Sequence, residues 1–324
     1  MEYLNEDGLV ALWEDTKEYV DRFEGPISEL QSDVAEIATD AATTRAGLSE
    51  VTANESYDQQ VLNGTYAGRN IVTLLGATDF DDACSKLHTL AQSKSAGPLR
   101  LGDYIDVTPT SNTVNKGQAI RYRIAVIGHC WQFGSHAYPW AFWMVPDNGI
   151  DMTGSSYAVS TTNIQWNTTA TNNGTSEQEM PYLASNLHAW ELGEFLPALP
   201  TTLQNVIVTH KILLEKRYSA SEALTDSTSW DWGDVGKIFS LSETEVYGQC
   251  VWGTKGYSVG ADAQLQLFAL APWRRLSGNS VNRWLRSVAS GSSSNVCSVP
   301  SNGVANNISA TTTYFRPWSC FLIG

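Results

Sequence analysis

Basic side chains are scarce in this sequence. Its 324 residues include 20 Lys and Arg against 34 Asp and Glu, a formal charge of −14. No basic stripe is present to neutralise a nucleic-acid backbone, and an acidic chain is repelled by anionic lipid, so neither partner is expected. Long apolar runs are also missing. Ile71 to Ala77 and Ala141 to Val145 are among the longest, well short of the roughly 18–20 residues of a membrane span. The start, Met1 to Gly8, has no basic region followed by an apolar core, which predicts synthesis without a secretory leader. The five cysteines, Cys84, Cys130, Cys250, Cys297 and Cys320, are widely spaced and include no C-x-x-C pair. That excludes a disulfide framework and a structural zinc site, and predicts free thiols packed as small hydrophobes.

What charge there is lies at one end. Residues 1–60 hold 15 acids and three bases, whereas the other 264 residues are close to balance, with 19 and 17. The acidic end also carries a 3-4 apolar repeat: Leu9, Trp13, Thr16, Val20, Phe23, Ile27, Leu30, Val34, Ile37, Ala41, Thr44, Leu48, Val51. Steps of four and three alternate without a slip, as in the seam of a coiled coil. A single amphipathic helix folded on its own domain has nearly the same spacing; persistence over about six heptads favours the coil. Gly25-Pro26 interrupts the pattern, and proline is accepted in a first helical turn, so two helices sharing one phase are expected. Thr16, Ala41 and Thr44 are weak seam residues and the flanks are acidic, so this coil would be marginal alone. The seam does not fix the strand number; a homotrimer is the expectation.

From about residue 57 the material changes. Eleven of the twelve tryptophans lie at or beyond Trp131, and Ser, Thr, Asn and Gly replace charge. β-like runs recur at 104–108, 120–127, 141–145, 205–211, 265–270 and 315–323, separated by Gly, Pro and Asn turns. Helices are expected over 79–92, with Phe80, Cys84, Leu87, Leu90 and Ala91 on one stripe, and over about 184–196. Ser242 to Glu245 has capping-box spacing and Gly248 is a stop, predicting one short turn. Residues 163–180 and 219–234 are polar and read as surface excursions. The fold class is α+β with long loops. The expected divisions are 1–24, an attachment helix; 25–56, a stalk; 57–98, a connector with a helix; and 99–324, a ligand-binding domain.

The stretch 277–324 contains no acid, three arginines, eleven Ser, six Asn and three Thr. Small adaptable hydrogen-bonding residues on a fixed frame suit a binding face. Several blocks carry a resemblance. Trp284-Leu285-Arg286-Ser287, then a Ser/Asn-rich stretch, Gly303 and Arg316-Pro317 resemble the end of a C-type-lectin-like domain of phage and prophage tail-fibre receptor-binding proteins. Leu101 to Ile105, Leu196 to Pro200 before Ile207 to Lys211, and Lys237 to Gly248 are similar to other blocks of that domain. The resemblance covers most of the chain and extends to the variable proteins of diversity-generating retroelements, in which adenine-directed mutagenesis rewrites a C-terminal stretch. It implies an exposed, partner-contacting set: Ser287, Ser290, Ser292, Ser293, Ser294, Asn295, Ser298, Asn302, Asn306, Asn307, Thr311 and Thr312. Trp284, Leu285, Arg316 and Pro317 would be frame. Trp273, Arg274, Arg275 and Trp318 are either rim anchors or core, core being the better reading for Trp318.

The same resemblance includes formylglycine-generating enzymes, but Arg286 to Ser290 with Cys297 and Cys320 does not reproduce their cysteine pattern, and no catalytic role is expected. The Glu-Pro-Asn or Gln-Pro-Asp triplet of calcium-dependent lectins is absent, so no cofactor or metal is expected. His129, Cys130 and His136 lack a second ligand cluster. Glu191/Glu194 and Asp231/Asp234 have spacings seen in glycosidase pairs but equally in helix surfaces and turn caps. The resulting expectation is a virion-tail adhesin. It binds a host-surface protein or glycan, joins other tail proteins, and assembles through its coil. The alternatives are a glycan-depolymerising tail enzyme and a non-binding virion decoration.

Overall fold

The computed structural model describes residues 5–130, 140–255, 263–277 and 280–324, so His136 of the His-Cys-His trio lies outside the described residues. The chain divides into two compact units, residues 1–59 and 60–324.

The first unit is made by one helix, α1 (Glu6–Leu62), in which no residue is buried. It passes through Pro26 without a break, which corrects the two-helix expectation. One interior proline costs about 3 kcal/mol and one hydrogen bond, and long helical stretches on both sides keep the path. The helix also runs through the boundaries expected at 24 and 56. Its seam residues stay exposed: Trp13 is 69% and Ile37 67% accessible.

The second unit is α+β. Residues 60–98, expected as a connector, belong to it: α2 (Phe80–Gln92) buries Ala83, Cys84, Leu87 and Ala91, and Asp79 caps it by accepting from Asp82 N. A central sheet runs in the order β1 (Tyr104–Val107), β2 (Ile120–His129), β3 (Trp140–Pro146), β13 (Ser319–Ile323), β8 (Phe239–Ser240). Six of the seven residues of β3 and all five of β13 are buried. Strands covered on both faces read as continuous apolar runs without alternation. A second sheet has the order β11 (Asn306–Ser309), β10 (Asn295–Val299), β9 (Asn282–Val288), β12 (Phe315–Arg316). The break between β12 and β13 falls at Pro317-Trp318, where Trp318 Nε1 donates to Pro146 O across 2.8 Å.

Three local expectations are overturned. Residues 266–270 form a helix (Gln266–Leu270), not a strand, and bury Leu267 and Phe268. The expected strand over 205–211 is the end of a helix (Thr201–Val206) followed by β6 (His210–Lys216). Part of the expected excursion 219–234 is β7 (Ser229–Gly236), the antiparallel partner of β6, with Trp232 opposite Leu213 and Trp230 opposite Glu215. The capping box does form: Ser242 and Glu245 cap the helix Glu243–Tyr247, and Gly248 ends it at φ 82°.

Candidate functional site

β9 is the frame of the expected binding segment. Trp284 is fully buried, stacks on Phe315 at 4.4 Å and donates to Ile164 O at 2.9 Å. Trp166 Nε1 donates to Leu285 O, also at 2.9 Å. Arg286 is held in the core by Glu245, with Nη1–Oε2 2.7 Å and Nη2–Oε1 2.5 Å, and by Ser240 O at 2.8 Å. The capping residue of a five-residue helix therefore also neutralises a buried cation, a pair that is strong only because both groups are fully hydrogen-bonded.

Beyond β9 the chain turns through Ala289–Ser294, and the turn is gripped by its backbone carbonyls. Buried Asn172 donates from Nδ2 to Ser292 O at 2.8 Å and Asn295 O at 2.6 Å, and from its backbone N to Ser293 O at 3.0 Å. Fully buried Arg217 donates from Nη1 to Ala289 O at 2.9 Å and Ser292 O at 3.0 Å, and from Nη2 to Thr254 Oγ1. Its ion-pair partner Glu215 stands 3.7 Å away. Burial pushes the Glu215 carboxyl up, against the opposing pull of Arg217, and burial pushes the Arg217 guanidinium down. Within the turn, Ser292 Oγ accepts from Ser294 N and Asn295 N, and Ser290 Oγ donates to Asp226.

The expected set is only partly brought together. Ser290, Ser292, Ser293, Ser294 and Asn295 lie on the turn. Thr311 and Thr312 stand at the same end of the sheet, because Ala310 N bonds Ser294 O. Asn295 Nδ2 donates to Asn307 Oδ1 at 2.8 Å, joining β10 to β11. Ser290 is exposed; Ser292 to Asn295, Asn306, Asn307, Thr311 and Thr312 are half-buried. Asn302, exposed in the β10–β11 connection, and Asn306, which begins β11, lie at the opposite end of these strands, away from the turn. Two residues leave the set. Ser298 is fully buried in β10, with its hydroxyl on Asn306 O at 3.4 Å. Ser287 is half-buried and its Oγ accepts from Glu243 N at 3.0 Å, a support for the capped helix. Of the expected frame, Trp284, Leu285 and Pro317 are buried and Arg316 pairs with Asp151 at 3.4 Å; Trp318 is buried as core.

Sequence reading missed Trp252. It is 44% exposed, its carbonyl accepts from Ser290 N at 2.7 Å and its indole donates to Ala305 O at 3.2 Å, so it bridges the turn and the β10–β11 connection. The loop that carries it is held by buried Glu243, whose carboxylate accepts from the backbone N of Val251, Trp252 and Gly253. Val251, next to Trp252, and Val304, next to Ala305, are also exposed. A half-exposed aromatic beside small polar groups is the usual anchor of a binding surface; the signal was a tryptophan after Cys250-Val251, read only as composition.

The carboxylate pairs are placed as well. Glu191 is sealed in the core, accepting from the hydroxyls of Tyr182, Ser240 and Ser319. Glu194 accepts from Ser155 Oγ at 2.7 Å. Asp231 and Asp234 are exposed on β7 and accept from Trp232 N and Gly236 N. All five thiols are free, and burial holds Cys84 up at about 12 and Cys297 and Cys320 well above the usual value. Among the described residues no three His, Cys, Asp or Glu side chains converge as metal ligands.

Compared with known proteins, residues 155–322, just over half of the chain, match the family described as Domain of unknown function (DUF6273). No curated protein and no solved structure matches the chain.

Proposed function

This chain belongs to the DUF6273 family, and we propose that it is an oligomeric adhesin of the tail-fibre type that binds a host-surface receptor. The binding face consists of Ser290, Ser292, Ser293, Ser294, Asn295, Asn307, Thr311 and Thr312 with Trp252 at its edge. One observation carries the reading: the turn 289–295 is fixed by Asn172 and Arg217 through its carbonyls. A rigid turn presenting small hydrogen-bonding side chains next to a half-exposed indole has the ingredients of a recognition surface. The resemblance to retroelement variable proteins supports diversification of this stretch, and a near-copy of its coding segment differing at adenines would establish it. The exposed seam of α1 supports self-association as a coiled coil, which would turn weak single contacts into avidity gains of roughly 10²–10⁴.

The test is binding of the labelled full chain to a panel of bacterial cells. Replacing Ser290 and Ser293 with Tyr, or Trp252 with Ala, should lower binding at least tenfold while the melting temperature stays put. Unchanged binding by all three variants on cells that take up the parent chain would defeat the proposal.

A further inference from the structure

A second feature lies on residues outside the β9–β11 segment. An open cleft of about 560 Å³ is bordered by Arg123, Asp147, Asn148, Trp273, Arg274 and Leu276, a volume typical of small-ligand sites. In a chain of formal charge −14, its wall sets two guanidinium groups against one carboxylate. Arg123 Nε lies 2.5 Å from Asp147 Oδ1, and its Nη1 donates to Ala67 O and Gly102 O. Arg274, with its side chain 7% exposed, reaches the same oxygen only at 3.9 Å. Its Nη2 donates to Tyr66 O at 2.7 Å, and its buried Nε has no partner among the described residues. Asp147 is thus shared by two cations and neutralises one. Burial, and then the charge of Arg123, bring the Arg274 guanidinium down to about 10. An under-neutralised buried cation is costly unless an anion completes it.

The other walls narrow the chemistry. Asn148 spends its side-chain oxygen on Ser277 Oγ and Gly149 N, which leaves the amide nitrogen as a donor. Trp273 is 49% exposed, yet its orientation is fixed: the indole N–H donates to Gly64 O at 2.7 Å, and Arg274 lies 4.5 Å over its ring. Asp147 remains exposed enough to accept a hydroxyl. The site therefore offers donors for one anionic group, an acceptor for hydroxyls and a rigid aromatic platform for C–H surface.

We propose that this cleft binds an acidic saccharide, with a sugar carboxylate at Arg274 and Asn148, hydroxyls at Asp147 and the ring face on Trp273. The site is independent of the receptor-binding face, whose test uses Ser290, Ser293 and Trp252.

The experiment titrates the full chain with trigalacturonate, with its methyl ester, and with inorganic sulfate by calorimetry. The acid should bind at least tenfold more tightly than the ester, which loses the charge and adds one methyl group per carboxyl. Trp273→Ala should weaken it at least fivefold. Asp147→Asn should tighten it severalfold by releasing both arginines, a gain that a purely structural ion pair would not produce. Arg274→Gln should abolish binding; should that variant fail to fold, the other two, at half-exposed and exposed positions, still decide the matter. Equal binding of acid and ester, or no response to Trp273→Ala and Asp147→Asn, overturns the proposal. Sulfate binding as tightly as trigalacturonate also overturns it, leaving a simple anion site.

Discussion

His210 opens β6 inside the core, stacked on Phe239 at 5.2 Å and edge-on to Trp143 at 5.6 Å. Burial, and next the Arg286 charge, hold its imidazole down to about 3. The native ring stays neutral where the unfolded ring, near 6.5, takes up a proton. Its contribution is therefore complete above pH 6.5 and is lost as pH falls towards about 3. At pH 4.5 the unfolded state has gained almost a full proton and the native state almost none, so the loss amounts to about 2.7 kcal/mol relative to pH 7.5. The figure depends almost wholly on the unfolded-state value, because the native one lies well below 4.5. His210→Phe keeps an aromatic ring against Trp143 and Phe239 and removes the titration. Guanidinium unfolding of both proteins at pH 7.5 and 4.5 gives the comparison, since every other titrating group cancels in the difference. The parent chain should lose about 2–3 kcal/mol more than the variant on acidification. Equal losses would mean that the native imidazole is protonated at pH 4.5, and the reasoning from burial would fail.

Asn172→Ala removes two side-chain hydrogen bonds to the turn and should cost about 2 kcal/mol; hydrogen exchange at residues 290–295 should accelerate, and unchanged protection would contradict the clamp. Glu245→Gln leaves Arg286 buried without its charge partner and should cost about 3–5 kcal/mol in denaturant unfolding. Gly64 has φ +68° and a Cβ there would stand 2.1 Å from Leu270 O, so Gly64→Ala should lower stability by at least about 2 kcal/mol, read from the denaturant midpoint. Glu at both Leu30 and Val34 should reduce the subunit number in sedimentation of the full chain; an unchanged number would show that α1 is not the assembling element.

Signals carried by neighbouring residues were legible in the sequence. Ser242 to Glu245 announced a helix start, since a cap bonds a backbone three residues away, and the apolar stripe from Phe80 to Ala91 announced another helix. Trp284 and Leu285 were read as frame and Trp318 as core, and all three are buried. Short apolar runs misled: Leu265, Leu267 and Phe268 suit a strand by hydrophobicity, yet the fold wants a helical turn there. β7 was hidden because Trp230 and Trp232 alternate with Ser229, Asp231 and Gly233, and the polar members dominated the reading. The turn proposed to bind was legible in composition but its support was not. Arg217 grips Ser292 from 75 positions away and Asn172 from 120, and no local pattern marks either residue. Ser298 shows the converse, a residue whose type suggested surface and whose strand position buried it.

The placement of β13 has a consequence for how the molecule is made. Its five residues stand between β3 and β8, and the neighbouring Trp318 bonds a residue of β3 172 positions earlier. A ribosome releases β1, β2 and β3 long before their neighbour exists, so β3 waits with an unpaired, wholly apolar edge. Loop-closure entropy falls due before that contact rewards it. Collapse of the central sheet must therefore follow emergence of residues 319–323, and nascent chains are sticky until then. A chain that assembles into oligomers while its sheets are still open would risk pairing that edge with a neighbour's. Were α1 to self-associate as proposed, its emergence ahead of the sheets would set assembly and folding in competition, and the yield of native chains should rise when translation of residues 319–323 is fast.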